Sequence, residues 1–210
     1  MSLTEPAPIL WDHAHCARAV LLLAHGAGAA MDSDFMAQLS LALAEHGISV
    51  ARFEFPYMRR MREEGRRLPP DRAAKLLDAF KCQLMSLSAS PLPVWIGGKS
   101  MGGRMASMLA AQQPVAGVVA FGYPFHPPGK PDKTRTDHFP DISAPLLICQ
   151  GERDPFGKPQ DVAGYFLPEH FSVHWLADGD HDFKPRKRSG ITREQLIKEA
   201  ARKAAQFIIQ

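Results

Sequence analysis

Val94-Trp95-Ile96-Gly97-Gly98-Lys99-Ser100-Met101-Gly102-Gly103 is the stretch on which the reading of this chain turns. Val94 to Gly97 reads as a buried strand. Behind it, Gly98-Lys99-Ser100-Met101-Gly102 fits Gly-x-Ser-x-Gly, a strand turning sharply into a helix with a serine hydroxyl lifted above the sheet. Glycines at 98 and 102 leave room where a Cβ would meet neighbouring backbone. Residues 101–111 are rich in glycine and alanine on the side that must approach a sheet, so a helix is predicted there. Its amino terminus, with a favourable dipole and free N–H groups, then faces Ser100. Gly98-Lys99-Ser100 also looks like the end of a phosphate-binding loop, but that loop begins on a glycine where this chain has Pro93, and residues 94–97 are strand-like.

Outward from the elbow, strands alternate with helices. Residues 19–24 read as a buried strand followed by His25-Gly26-Ala27-Gly28, residues 34–46 as a helix stopped by Gly47, and 48–53 as another strand. Residues 55–70, dense in arginine, read as a loop. A helix is predicted over 71–87, strands over 115–121, 146–150 and 172–176, and a closing helix over 192–209. Residues 123–140 form a proline-rich connection that either rims a site or crosses the surface. The expected architecture is a three-layer α/β/α sandwich on a mostly parallel sheet of about six strands, with residues 1–210 making one domain.

Composition fits that fold. The chain of 210 residues is 45% hydrophobic and 22% charged, as in ordinary globular proteins, and long enough for a full core. A net charge of +3 is too small to imply nucleic acid. Its arginines cluster at 52, 59, 60, 62, 66 and 67, either as solvated loop residues or as a positive rim for an anion. Cys16, Cys82 and Cys149 have no metal-ligand spacing, and Cys149 lies in an apolar run. Met1-Ser2-Leu3-Thr4-Glu5-Pro6 has no leader pattern, and no run reaches membrane-spanning length. A cytoplasmic protein, a monomer or homodimer without membrane insertion, is expected.

Serine is a weak nucleophile until a base takes its proton and a third group orients that base. The best base is His181, in Gly179-Asp180-His181-Asp182, after the last predicted strand. The best orienter is Asp154, in Gly151-Glu152-Arg153-Asp154, just past a strand end. Glu152 and Asp161 are alternative carboxylates, Asp180 and Asp182 weaker ones, and His174 alternates within a strand. Strand ends on one edge of a parallel sheet converge, so these distant residues can meet. An oxyanion formed by attack on an acyl group needs backbone N–H donors. Met101, at the helix start, and Ala27, in the first glycine turn, are the candidates. Phe55, Tyr57, Arg59, Phe125 and Phe156 are candidate rim residues, with core packing as the alternative.

These segments together resemble the α/β-hydrolases. The chain is similar in particular to a small bacterial group related to dienelactone hydrolases and to the hydrolase-like domain of a chromatin-complex subunit. The resemblance rests on His25-Gly26-Ala27-Gly28, Arg52-Phe53-Glu54-Phe55, Gly98-Lys99-Ser100-Met101-Gly102-Gly103-Arg104, Gly151-Glu152-Arg153-Asp154 and Gly179-Asp180-His181. Their order, Ser then Asp then His, matches that of the family. The resemblance implies a compact core without a large cap and a Ser-Asp-His triad. Ser100 stands where dienelactone hydrolases usually have cysteine.

The expected function is hydrolysis of a small ester or related acyl substrate through an acyl-enzyme, with no metal and no organic cofactor. The alternative is a hydrolase-shaped interaction module with little or no catalysis, motivated by the 123–140 segment and by two basic clusters, the arginines of 52–67 and Lys184, Arg186, Lys187 and Arg188.

Overall fold

A computed structural model describes residues 6–210. The leader reading, made on residues 1–6, lies outside them except for Pro6. Among the described residues, β1 (Leu10–Asp12), β2 (Ala19–Ala24), β3 (Ile48–Phe53), β4 (Val94–Lys99), β5 (Val118–Phe121), β6 (Leu146–Gly151) and β7 (Phe171–Leu176) form one sheet. Their spatial order is β1-β3-β2-β4-β5-β6-β7, and only the β1–β3 pair is antiparallel. The expected layers are present, with seven strands rather than about six. The added strand, β1, is three residues long and too short for an alternating pattern to announce it.

Side-chain alternation explains why the sheet is covered on both faces. Val20, Leu22, Ile96, Val118, Ala120, Leu146 and Ile148 join one core cluster, which contains residues of α3 (Ala73–Ser86) and α4 (Met101–Ala110). Leu21, Leu23, Trp95, Val119, Phe121, Leu147 and Cys149 join the other, with α1 (Asp34–Glu45) and α6 (Arg193–Ile209). Each fully buried Leu, Ile or Phe contributes roughly 1.5–3 kcal/mol of transfer free energy. α6 begins on a reciprocal cap, in which Thr192 Oγ1 accepts the Gln195 N–H and Gln195 Oε1 accepts the Thr192 N–H.

The segment expected to be a loop from 55 to 70 instead holds α2 (Pro56–Glu64). Proline at its first position and Gly65 in the left-handed region after it (φ 64°) fit a helix start and stop. Ion pairs tie it down. Arg62 meets Glu54 at 2.7 Å and Asp32 at 2.5 Å, and Arg60 meets Asp71 at 2.8 Å. With Arg52 on Asp12 and Arg66 on Glu64, most of the arginine cluster is paired with carboxylates rather than left as a free positive rim. A short helix, α5 (Pro159–Val162), follows β6.

Much of the 123–140 connection packs inward. Tyr123, Phe125 and Phe139 are fully buried, and Ser107 Oγ lies 2.8 Å from His138 Nε2. Burial, with Arg104 nearby, pushes the His138 imidazole from its ordinary value of 6.5 down to about 4. The folded protein therefore keeps this ring neutral where the unfolded chain takes up a proton. Its contribution to stability is intact above about pH 6.5 and is lost as the pH falls from there towards 4. In urea titrations at about pH 7.5 and about pH 5, His138→Gln should lose less stability than wild type between the two. Equal losses would remove His138 as the source.

Candidate active site

β4 ends at Lys99, and α4 starts at Met101, leaving one residue for the turn. That residue, Ser100, has φ 51° and ψ −115°, a conformation that non-glycine residues rarely adopt. The turn closes because its neighbours lack side chains. A Cβ on Gly98 would meet the Ala24 carbonyl oxygen at 2.7 Å, and one on Gly102 would meet the His25 carbonyl oxygen at 2.7 Å. Met101 is the first residue of α4, where a backbone N–H has no acceptor within the helix.

His181 reaches Ser100 from the loop after β7. Its Nε2 is 2.8 Å from Ser100 Oγ, and its Nδ1 is 2.8 Å from Asp154 Oδ2. With the ring proton on Nδ1 donated to the carboxylate, Nε2 accepts the serine O–H. Asp154 lies just past β6 and is fully buried. Its Oδ1 accepts the Phe156 N–H at 2.9 Å, and its Oδ2 also accepts from Gln150 Nε2 at 3.0 Å. The Gln150 amide is fixed in turn by the Tyr123 N–H at 2.7 Å and the Tyr123 carbonyl at 3.1 Å. Phe156 lies against the imidazole, ring centroids 4.4 Å apart.

The structure thus brings Ser100, Asp154 and His181 into one hydrogen-bonded chain. The alternative side chains are engaged elsewhere. Glu152 accepts the Asp178 N–H, and Asp161 the Lys158 N–H. Asp180 orders its own loop by accepting the N–H groups of Asp182 and Lys184. His174 bonds Glu199 at 2.7 Å.

A cavity of about 380 Å³ opens at Ser100 and His181. Its walls include Phe35, Met36, Phe156, Lys99, Asp182, Ser33 and the turn from Gly26 to Ala29. Of the five rim candidates, Phe156 lines this cavity. Phe55, Tyr57 and Phe125 are fully buried in the core, and Arg59 lines a separate recess with Glu54, Arg62 and Glu63. The aromatic residues were ambiguous in sequence because rim and core use the same side chains, and here core packing prevails.

Ala27 lies in a turn shaped from beneath. His25, fully buried, has Nδ1 2.6 Å from the Gly26 carbonyl, and its Nε2 accepts the Phe55 N–H at 3.1 Å. Those two partners fix the tautomer, with the proton on Nδ1, and burial pushes the imidazole below its ordinary range. Tyr57 Oη donates to the Ala27 carbonyl at 3.1 Å. His25, Gln150 and Lys99 are site residues to which sequence reading gave no role. Gln150 had a signal, an amide closing the otherwise apolar run Leu146-Leu147-Ile148-Cys149.

The family of α/β-hydrolase domains matches residues 17–209. The chain belongs to that family. Solved structures share the hydrolase fold across nearly its whole length. A dienelactone hydrolase from Anabaena variabilis is 21% identical, with a TM-score of 0.72 over 97% of this chain and 96% of that one. The esterase domain of a Rhodothermus marinus protein is 18% identical, with a TM-score of 0.66 over 95% of this chain and 92% of that one. A serine hydrolase homologue from Coxiella burnetii is 19% identical, with a TM-score of 0.67 over 96% and 89%. At these identities the likeness is one of fold, and it relates this α/β-hydrolase domain to esterases and dienelactone hydrolases. No described helix of the hydrolase domain is long and apolar enough to cross a membrane.

Proposed function

We propose that this protein is a serine hydrolase that cleaves small esters or related acyl compounds through an acyl-enzyme. The observation that carries the reading is the relay from Ser100 Oγ through His181 to buried Asp154, with 2.8 Å at each step, opening on a cavity. As Ser100 Oγ attacks the acyl carbon, His181 Nε2 takes its proton, and the charge of Asp154 stabilises the resulting imidazolium. The oxyanion is held by the N–H groups of Met101 and Ala27, each such donor being worth about 3–4 kcal/mol in the transition state. His181 then protonates the leaving group. Water enters, gives a proton to the same nitrogen and attacks the acyl carbon, and Ser100 departs with the proton returned.

The cavity volume lies near the low end of the range of about 300–1,000 Å³ typical of small-molecule sites, which favours a compact substrate. Phe35, Met36 and Phe156 supply apolar walls for it. The buried thiol of Cys149 supports the reducing, cytoplasmic setting inferred from the sequence.

A fluorophosphonate probe tests the reading directly. Wild-type protein should be labelled at Ser100, and His181→Ala, which removes the base, should lose the label. A well-folded wild type that takes no label would support the interaction-module reading instead.

A further inference from the structure

Lys99 immediately precedes Ser100 in the chain, and Asp182 immediately follows His181. Their side chains meet, with Nζ 3.3 Å from Oδ1, so an ion pair runs alongside the Ser100–His181 hydrogen bond. Lys99 is 6% exposed. Among the described residues, Asp182 is the one carboxylate within 4.0 Å of its ammonium, and the Asp182 side chain is itself 65% exposed.

Burying an ammonium is costly, and a methionine would fill similar space without that cost. The surroundings accommodate the charge. The ring of Phe35 lies 5.4 Å from Nζ, an aromatic face that attracts a cation. At the end of β5, a Cβ on Gly122 would stand 3.0 Å from the His181 carbonyl oxygen and 3.3 Å from Lys99 Nζ. One absent side chain therefore admits both the lysine head and the His181 backbone, and the two pack around the same point.

Asp154 grips the His181 ring at Nδ1, Asp180 orders the loop internally, and Arg193 Nε donates to the Asp182 carbonyl at 3.0 Å, but none of these ties the loop to the end of β4 that carries Ser100. We propose that the Lys99–Asp182 ion pair is a clamp that holds the His181 loop against the end of β4 and so sets the approach of Nε2 to Ser100. The clamp rests on the hydrolase reading of Ser100 and His181. Both side chains border the cavity, and in the clamp Lys99 and Asp182 are positioning residues, acting through His181.

Lys99→Met, Asp182→Asn and the double variant test it. Each single change should lower fluorophosphonate inactivation and kcat on a neutral p-nitrophenyl ester by about 10- to 100-fold, the scale expected of an ångström-sized misplacement. KM should move by less than about 3-fold, and the double variant should be no slower than the worse single, because each change breaks the same contact. Lys99→Met should melt no lower than wild type, because it removes a buried charge. Full-rate labelling in either single variant, or losses that multiply in the double, would overturn the clamp. If Lys99→Met does not fold, Asp182→Asn alters an exposed side chain and carries the test. The His181 Nδ1 proton resonance reads loop position apart from the chemistry. It should be sharp in wild type and broadened by exchange in both variants. An unchanged resonance overturns the clamp whether or not wild type is labelled, whereas failure of wild type to label counts against the hydrolase reading.

Discussion

Ser100→Ala is expected to lower turnover of any ester that the wild-type protein accepts by about 10⁴-fold or more, with the residue carried by the oxyanion donors and binding alone. No nearby side chain replaces the lost oxygen, since His181 Nε2 points at it and the adjoining Lys99 is held by Asp182. The loss is chemical rather than structural. Alanine inherits the same backbone strain, φ 51°, of the kind that costs about 1–3 kcal/mol, so the melting temperature should stay close to that of wild type. Ser100→Gly should be equally inactive yet melt higher, because glycine adopts this conformation freely. Steady-state kinetics and calorimetry on the two variants check both halves. An alanine variant that retains wild-type turnover would dismiss Ser100 as the nucleophile.

Asp154→Asn should come next, with kcat lowered by about 10⁴-fold and a much smaller change in KM. The reason lies in how completely the carboxylate is used. Oδ2 accepts from both His181 and Gln150, and Oδ1 accepts the Phe156 N–H. An asparagine amide has one acceptor and one donor end. Turned one way, its NH₂ faces the Gln150 NH₂ and drives His181 to the tautomer with its proton towards Ser100. Turned the other way, its NH₂ faces the Phe156 N–H. Either orientation also removes the charge that stabilises imidazolium, and the unmatched buried donor costs about 1–3 kcal/mol of stability. A kcat loss of less than about 10-fold, measured on variant enzyme confirmed as folded, would count against the proposed role of Asp154.

The layers and the sharp strand-to-helix turn at Ser100 were legible because they rest on local, repeated constraints. Strands β2 to β6 are largely apolar and buried on both faces, and Gly98 and Gly102 mark the close approach of backbone on either side of Ser100. The placement of Asp154 and His181 followed from their positions just past strand ends, on the edge where Ser100 turns. What sequence reading missed depended on partners far away in the chain. α2 read as a loop because its arginine density masks the helical spacing of Tyr57, Met58 and Met61, which face the core, while Arg62 on Asp32 and Glu54 and Arg60 on Asp71 hold its outer side. Phe55, Tyr57 and Phe125 could not be assigned to core or rim until the turn after β2 and the 123–140 segment had positions. Lys99 drew notice only as part of a phosphate-loop lookalike, since its partner Asp182 is distant in sequence and close only in the fold.

The Ser100–His181 contact spans 81 residues of chain, and Asp154 comes from a third strand end between them. Such non-local contacts form late, after loop closure over long separations has been overcome. Reactivity towards a fluorophosphonate should therefore lag behind helix formation when the denatured protein is returned to native buffer. The probe then becomes a stopwatch for the docking of β4, β6 and β7, timing the moment at which three separate strand ends first share one edge.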